Sequence, residues 1–533
     1  MRSYNAITTT AADGTTTTAG ACFRGDIQND LIRGGWNFSG SVVSDCDAIK
    51  DQAYRYASNE ACAAAGVQAG CDQDCGGFYG AWGLQALQQG LLKQEELTRA
   101  VARTLLMRFK LGEFEPDPAA SVPFTRIPAG TSNSSASAQS ALRAARESIV
   151  LLNNSAALLP LRPTAAAAAA AAAPIKLAVL GPLADDADAM QGGKSDYNPS
   201  HVISYLEGLS ARKAELAITY AEGCGSIKCP SDGGFAAAVA AAKAADVTFI
   251  ALGIDHTIEA EGHDRSSTGL PGMQLQLLQQ VVAAVGADKV VVGLSNGGAL
   301  ATDWIAAHVP TVLELFQGGQ WAGAALADVL LGAYSPSGVL PYTIYPASFI
   351  TLNSMDDFGM RPNASSKSTG HTYRFYEGPA PLWPFGHGLS FARFSMAFSS
   401  TKLPPATTAA LVPAPEAGHT PGLAVALTVT NTGAVAGAKA VLFFVSRVGD
   451  AAAPKKTLVS VQKVHLEPGA SATLHVTSDA GAELGYCAFC TVATDGSSKT
   501  LAAGEFEISV GDGVDNVATT TVMATGATVT LPL

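Results

Sequence analysis

The chain has 533 residues, of which 48% are hydrophobic and 15% charged, with a formal net charge of −12. That length exceeds a single core and implies two to four domains. The acidic balance argues against nucleic acid, whose phosphates need a basic face, and no apolar run is long enough to cross a bilayer.

Residues 1–115 alternate short apolar runs with helical patterns. Gly40–Ser44 (GSVVS) reads as a buried strand with Asp45 where it ends. From Gln94 to Leu111 the residues Leu97, Val101, Leu105 and Phe109 fall four apart, a helix stopped by Gly112. A linker over 116–136 follows, and a second block opens near Ser137 with a helical pattern through Leu152. Apolar strands then recur at Ile175–Leu180, Ala217–Tyr220, Val247–Leu252, Lys289–Leu294 and Thr311–Leu315, separated by helices such as Ala236–Ala244 and Met273–Val285. That alternation predicts a doubly wound, mostly parallel sheet over 137–350 with helices on both faces. The alanine tract Ala165–Ala173, flanked by Pro163 and Pro174, reads as an inserted surface loop.

Residues 351–421 read as a connecting segment, rich in Pro, Ala and Thr from Leu403 to Pro421. From 422 to 533 the period becomes two: Val425, Leu427 and Val429, then Leu474 and Val476, then Phe506 and Ile508. About seven short strands there suggest an immunoglobulin-like sandwich.

Cys224 and Cys229 bracket a short loop that a disulfide could close in an oxidising compartment. Cys487 and Cys490 form an isolated CxxC with no second pair, so no metal site is expected. Sequons at Asn37, Asn133, Asn153 and Asn363 are compatible with a secretory route. The start, MRSYNAITTT, lacks the basic start and apolar core of a signal peptide.

Phosphate loops, HExxH, GxSxG and strand-linked GxGxxG motifs are all missing, which removes several enzyme classes. Acidic residues at the ends of expected strands stand out, because ligands of parallel α/β folds sit outside the carboxyl ends of strands. Asp45, in Val43-Ser44-Asp45-Cys46-Asp47, could face the mouth of a barrel or cap a helix, with Asp47 the better cap. The loop from Gly253 to Arg265 gathers Asp255, His256, Glu259, Glu261, His263, Asp264 and Arg265, either as a site or as a solvated acidic loop. Asp72 and Asp74, in AGCDQDCGG, could form a polar turn or a rim that touches ligand.

The runs SDCDA, AGCDQDCGG and RESIVLLNN resemble the barrel end and interdomain helix of glycoside hydrolase family 3. GIDHTIEAEGHDRSS followed by LPGMQ resembles the acid/base loop of that family's β-xylosidase and α-L-arabinofuranosidase branch. HTYRFY and WPFGHGLSF resemble the lead-in to its C-terminal fibronectin type III-like domain. The resemblance implies a multidomain α/β protein: the C-terminal part of a (β/α)8 barrel over 1–115, then the α/β sandwich, then a fibronectin-III-like β-sandwich over 422–533. It also implies Asp45 as nucleophile, the acid/base on the loop of Glu259 (preferred) and Glu261, and Tyr4, Asp72 and Arg265 as substrate contacts. A retaining hydrolase needs its two carboxyls about 5–5.5 Å apart, one ionised and one protonated. No cofactor and no metal is expected; the partner is an oligosaccharide or small glycoside, with neither nucleic acid nor membrane. The intact family member would act outside the cell or in the cell wall.

The family's barrel typically takes about 250 residues, and Ser3-Tyr4-Asn5 resembles a motif well inside it. The chain therefore looks like a truncated copy, or a gene reading begun at an internal methionine. A β-glucosidase or arabinofuranosidase is the alternative activity. An inactive barrel fragment that at most binds a partner is the alternative of another class.

Overall fold

In the computed structural model the described residues are 7–10, 16–132, 134–161, 173–192, 199, 201–355, 357–398, 423–478, 491–492, 498–501, 504–524 and 529–532. The expectations for Tyr4, for Cys487 and Cys490, for the sequon at Asn133, for the linker from Leu403 to Pro421 and for nearly all of the alanine tract lie outside them. The chain divides into two compact units, Met1–Ser134 and Ser135–Leu533.

The first unit begins with a hairpin of β1 (Ile7–Thr10) and β2 (Thr16–Ala19). A π-helix (Asp26–Gly35) and the helices Asn59–Ala69, Phe78–Gln88 and Gln94–Lys110 follow. Ser58 caps the second of these by accepting from the Ala61 N–H, and Gly70 ends it in the left-handed conformation at φ 105°. The expected strand at Gly40–Ser44 is reduced to one parallel bridge, Val43 to Gln73. Among the described residues no strand lies beside the apolar run to form a ladder, and Val43 stays 56% exposed. The Gln94–Lys110 helix forms as its spacing predicts. Its stripe is only partly covered, however, since Val101 and Phe109 are exposed.

The second unit is built on a six-stranded sheet of β3 (Val150–Asn154), β4 (Ile175–Leu180), β5 (Leu216–Ala221), β6 (Val247–Gly253), β7 (Val290–Ser295) and β8 (Thr311–Glu314). Their order is β3-β8-β7-β6-β4-β5. Five strands run parallel, and β3 pairs antiparallel with β8 at the edge. The strands β6 and β7 are buried at every residue, as expected of strands covered on both faces. The helix expected through Leu152 stops at Ser148, and Val150–Asn154 is a strand instead. Its β-branched and aliphatic start fits the sheet edge, and Asn153 donates from its amide to the Val309 carbonyl at 3.1 Å.

One core face is sealed by the helix Ala322–Leu331, in which nine of ten residues are buried. Buried Asp328 pairs there with both Arg146 and Arg212, tying the helix to Ser135–Ser148 and to the turn before β5. Gly208 and Gly323 allow this packing, because a Cβ at either would strike the other segment's backbone.

Among the described residues ten further strands follow: β9 (Phe394–Phe398), β10 (Leu423–Asn431), β11 (Gly437–Arg447), β12 (Thr457–Leu466), β13 (Ser471–Ser478), β14 (Thr491–Val492), β15 (Ser498–Leu501), β16 (Gly504–Gly511), β17 (Asn516–Ala524) and β18 (Val529–Pro532). The sheets β13-β10-β9 and β12-β11-β16-β17 share a core of Val425, Leu427, Val429, Phe443, Phe506 and Ile508, among others. The period of two read from the sequence is what fills it. The boundary is earlier than the expected 422, because Phe394–Phe398 pairs with β10.

Candidate functional site

In the second unit the chain runs from β4 to β5 on one side and then to β6 on the other, so the strand order reverses at β4. Ligands of open α/β sheets bind outside the carboxyl ends of strands at such a switch point. A cavity of about 750 Å³ lies there. Pro182 lines it from beyond β4, Tyr220 from β5 and Glu222 from just beyond it, and Asp255 and Thr257 from beyond β6.

The loop after β6 carries most of the chemistry. Asp255 is buried and accepts from the Thr257 N–H at 2.9 Å and the Thr257 hydroxyl at 2.6 Å, which fixes the first turn of the loop. The Glu259 N–H donates to the Asp255 carbonyl at 3.1 Å. Its carboxylate forms an ion pair with Arg265, which also donates to the Ala299 carbonyl at 3.1 Å. Between Glu259 and Arg265 the chain makes a tight reversal, with Ala260 and His263 exchanging two backbone hydrogen bonds of 3.1 and 3.0 Å. Glu261 sits at the exposed tip of that turn, while the Glu259 side chain is 34% exposed at its stem. Sequence reasoning missed Gly298: a Cβ there would collide with the Glu259 carboxylate and the Arg265 guanidinium.

Behind this loop lies a residue the sequence did not single out. Glu314, at the end of β8, is fully buried, and burial pushes its pKa up to about 8. Hydrogen bonds from the Asn296 amide at 2.9 Å and the Phe316 N–H at 3.2 Å oppose the shift. The Asn296 carbonyl oxygen in turn accepts from the Tyr342 hydroxyl at 3.4 Å, and Tyr342 feels the charges of Arg265 and Glu259.

In the first unit Asp45 is exposed, and its Oδ1 accepts from the Cys46 N–H at 2.8 Å. Neither Asp45 nor Asp47 caps the following helix, Lys50–Arg55, whose start has no side-chain cap. Asp47 instead takes the left-handed conformation at φ 59°, with its N–H on the Cys75 carbonyl at 2.8 Å. Asp74 serves a different helix: its carboxylate accepts from the Phe78 and Tyr79 N–H groups at 2.7 and 3.3 Å, at the start of Phe78–Gln88. A disulfide joins Cys46 to Cys75 and so ties the Asp45 turn to the Asp74 turn. The second disulfide, Cys224–Cys229, closes the loop at which it was expected.

Asp72 is placed differently from the expected ligand rim. Its side chain is 1% exposed, and its carboxylate is engaged by Arg33, by Arg103 at 3.0 Å and by the Val42 N–H at 2.9 Å. All three contacts are internal to the unit and hold the Val42–Ser44 segment in place. The polar-turn reading describes them better than a substrate contact.

Residues 149–391 match the glycosyl hydrolase family 3 C-terminal domain. That domain and the relatives below make the chain similar to glycoside hydrolase family 3. It is 32% identical over 521 residues to beta-D-xylosidase 1 of Arabidopsis thaliana, an alignment covering 92% of this chain and 63% of the relative. Identity is again 32% to beta-xylosidase/alpha-L-arabinofuranosidase 2 of Medicago sativa subsp. varia, with the same two coverages. Among solved structures, a GH3 exo-beta-xylosidase in complex with a xylobiose aziridine probe superposes with a TM-score of 0.85 at 27% identity. That superposition covers 97% of this chain and 65% of that one. The GH3 beta-glucosidase of Bifidobacterium adolescentis gives 0.72, also at 27% identity, over 96% of this chain and 67% of that one. The chain thus spans just under two thirds of the curated relatives it matches.

Proposed function

We propose that the chain works as a retaining exo-glycosidase of the β-xylosidase type, releasing terminal β-linked xylose from xylo-oligosaccharides. The observation that carries this reading is the match over 92% of the chain to plant proteins named as β-xylosidases. The acidic loop at the switch point supports it, as does Cys46 beside Asp45. The β-glucosidases of the family more often place tryptophan after the nucleophile, whereas Cys46 closes a disulfide to Cys75. A β-glucosidase or an arabinofuranosidase is the competing activity.

Asp45 would attack the anomeric carbon, displacing the leaving-group oxygen and forming a covalent glycosyl-enzyme, which water then hydrolyses. Glu259 would hand a proton to the departing oxygen and later take one from the incoming water. Arg265, paired with Glu259, would hold that carboxyl in position, and Tyr4 would contact substrate. Secretion, glycosylation and a fibronectin type III-like identity for the last sheets belong to the same reading.

The test is turnover of aryl xyloside, arabinofuranoside and glucoside by the purified chain. Xyloside should be preferred, and Asp45→Gly should abolish turnover and regain part of it with azide. Glu259→Ala should slow poor leaving groups most, since protonation matters least when the leaving group is a weak base. Preference for the glucoside would overturn the substrate assignment, and leaving-group dependence seen only in Glu261→Ala would move the acid/base to Glu261. A second reading, a binding protein without catalysis, is favoured by the apolar surface of the first unit, where Trp36 is 68% and Tyr54 76% exposed.

A further inference from the structure

The segment His371–Tyr376 (HTYRFY) takes no part in the strand-end cleft. It forms one wall of a second cavity of about 520 Å³ in the same unit, which shares no lining residue with the first. That volume lies within the range of about 300–1,000 Å³ usual for small-molecule sites. The opposite walls come from Lys455 and Lys456, just before β12, and from Gly513 and Val514, between β16 and β17.

The lining divides into two kinds. Pro381, Pro384 and the Tyr373 ring give an apolar side, and Tyr373 is held rigid by stacking on Phe385 at 4.4 Å. The polar side holds Tyr376, Glu377 and the two lysines. Tyr376 is only 7% exposed and packs against Tyr345 at 4.6 Å, yet its buried hydroxyl has no hydrogen-bond partner among the described residues. A buried hydroxyl without a partner is unfavourable, and a ligand that supplied the bond would relieve it.

We propose that this cavity is an accessory saccharide site that takes one pyranose unit of a neutral oligosaccharide. A sugar ring presents C–H faces to the prolines and the Tyr373 ring, and its edge of hydroxyls can both donate and accept. That suits a wall offering an ammonium, a phenol and a carboxylate together. An anion fits less well. The Lys455 ammonium already donates to the Tyr376 carbonyl at 2.5 Å, Lys456 donates to the Asp512 carbonyl at 2.9 Å, and the Glu377 carboxylate stands at the rim.

Isothermal titration of the full chain with xylotriose tests the site. Ala380→Trp, at an exposed position on the cavity wall, should remove one binding site from the stoichiometry. Tyr376→Phe, which deletes only the hydroxyl, should weaken that site about five-fold. Asp255→Asn, in the strand-end cleft, should leave the site intact, so a failed glycosidase reading and a failed accessory site give different titrations. The proposal is overturned by any of three results: Ala380→Trp keeping the wild-type stoichiometry, galacturonate displacing the neutral sugar, or no saturable heat at all.

Discussion

Glu314 is a carboxyl enclosed by protein, with one oxygen on Asn296 and Phe316 and the other buried without a partner among the described residues. Its folded pKa of about 8 stands above the ordinary 4.5, so the native state keeps a proton that the unfolded chain releases. The stabilising contribution is therefore complete below about 4.5 and is lost as pH rises towards 8. Glu314→Gln keeps the acceptor oxygen and cannot ionise. The melting temperature of the wild type should therefore fall relative to Glu314→Gln between pH 5 and 8. The divergence should amount to a few kcal/mol, since every tenfold change in proton affinity between the two states is worth about 1.4 kcal/mol. Parallel melting curves across that window would show that Glu314 is ionised in the fold. Nothing in Thr311-Val312-Leu313-Glu314 announces this, because the altered acidity comes from enclosure and not from local pattern. Asp45 and the Glu259 loop, by contrast, were visible as acidic residues at strand ends.

At the level of elements, the ion pair between the π-helix (Asp26–Gly35), the turn at Asp72 and the helix Gln94–Lys110 joins three segments of the first unit. Arg33 is 9% exposed and Asp72 1%, so removing the carboxylate leaves a guanidinium enclosed without its counter-charge. Asp72→Ala should cost about 3–5 kcal/mol, the usual loss when one member of a buried pair is deleted. Denaturant midpoints check this, and a loss below about 1 kcal/mol, the scale of an exposed pair, would mean that Arg33 finds water or another acceptor. The sequence could not show this network, because residues 33, 72 and 103 share no period. What it did show were the parallel strands, whose runs such as Val247–Gly253 are apolar throughout because both faces are covered. It failed at Val150–Asn154, where a strand follows a helix with no Gly or Pro between them and the apolar spacing runs on unbroken. It also failed at Gly40–Ser44, whose strand-like composition was right but whose pairing depends on neighbours far along the chain.

Over the whole molecule, apolar exposure is uneven. Among the described residues, fifteen of the large exposed hydrophobic side chains belong to Met1–Ser134 and ten to the much longer Ser135–Leu533. Leu106, Met107, Phe109, Leu111 and Phe114 follow one another at the end of one helix and its exit turn, each at least 38% exposed. A cluster of exposed apolar side chains along one short segment is a candidate association or aggregation site, whereas singly scattered exposed residues are ordinary. The net charge of −12 opposes self-association at low ionic strength, and salt screens it, with a Debye length of about 8 Å at physiological strength. The purified chain should therefore bind a hydrophobic dye such as ANS in its native state and shift to larger species in sizing experiments as salt rises. Replacing Phe109 and Leu111 by lysine should reduce both effects. Neither side chain is buried, with Phe109 at 57% and Leu111 at 64% exposure, so the melting temperature should hardly change. A chain that stays monomeric and dye-free in salt would show that this surface is inert, and it would remove the main support for the non-catalytic reading.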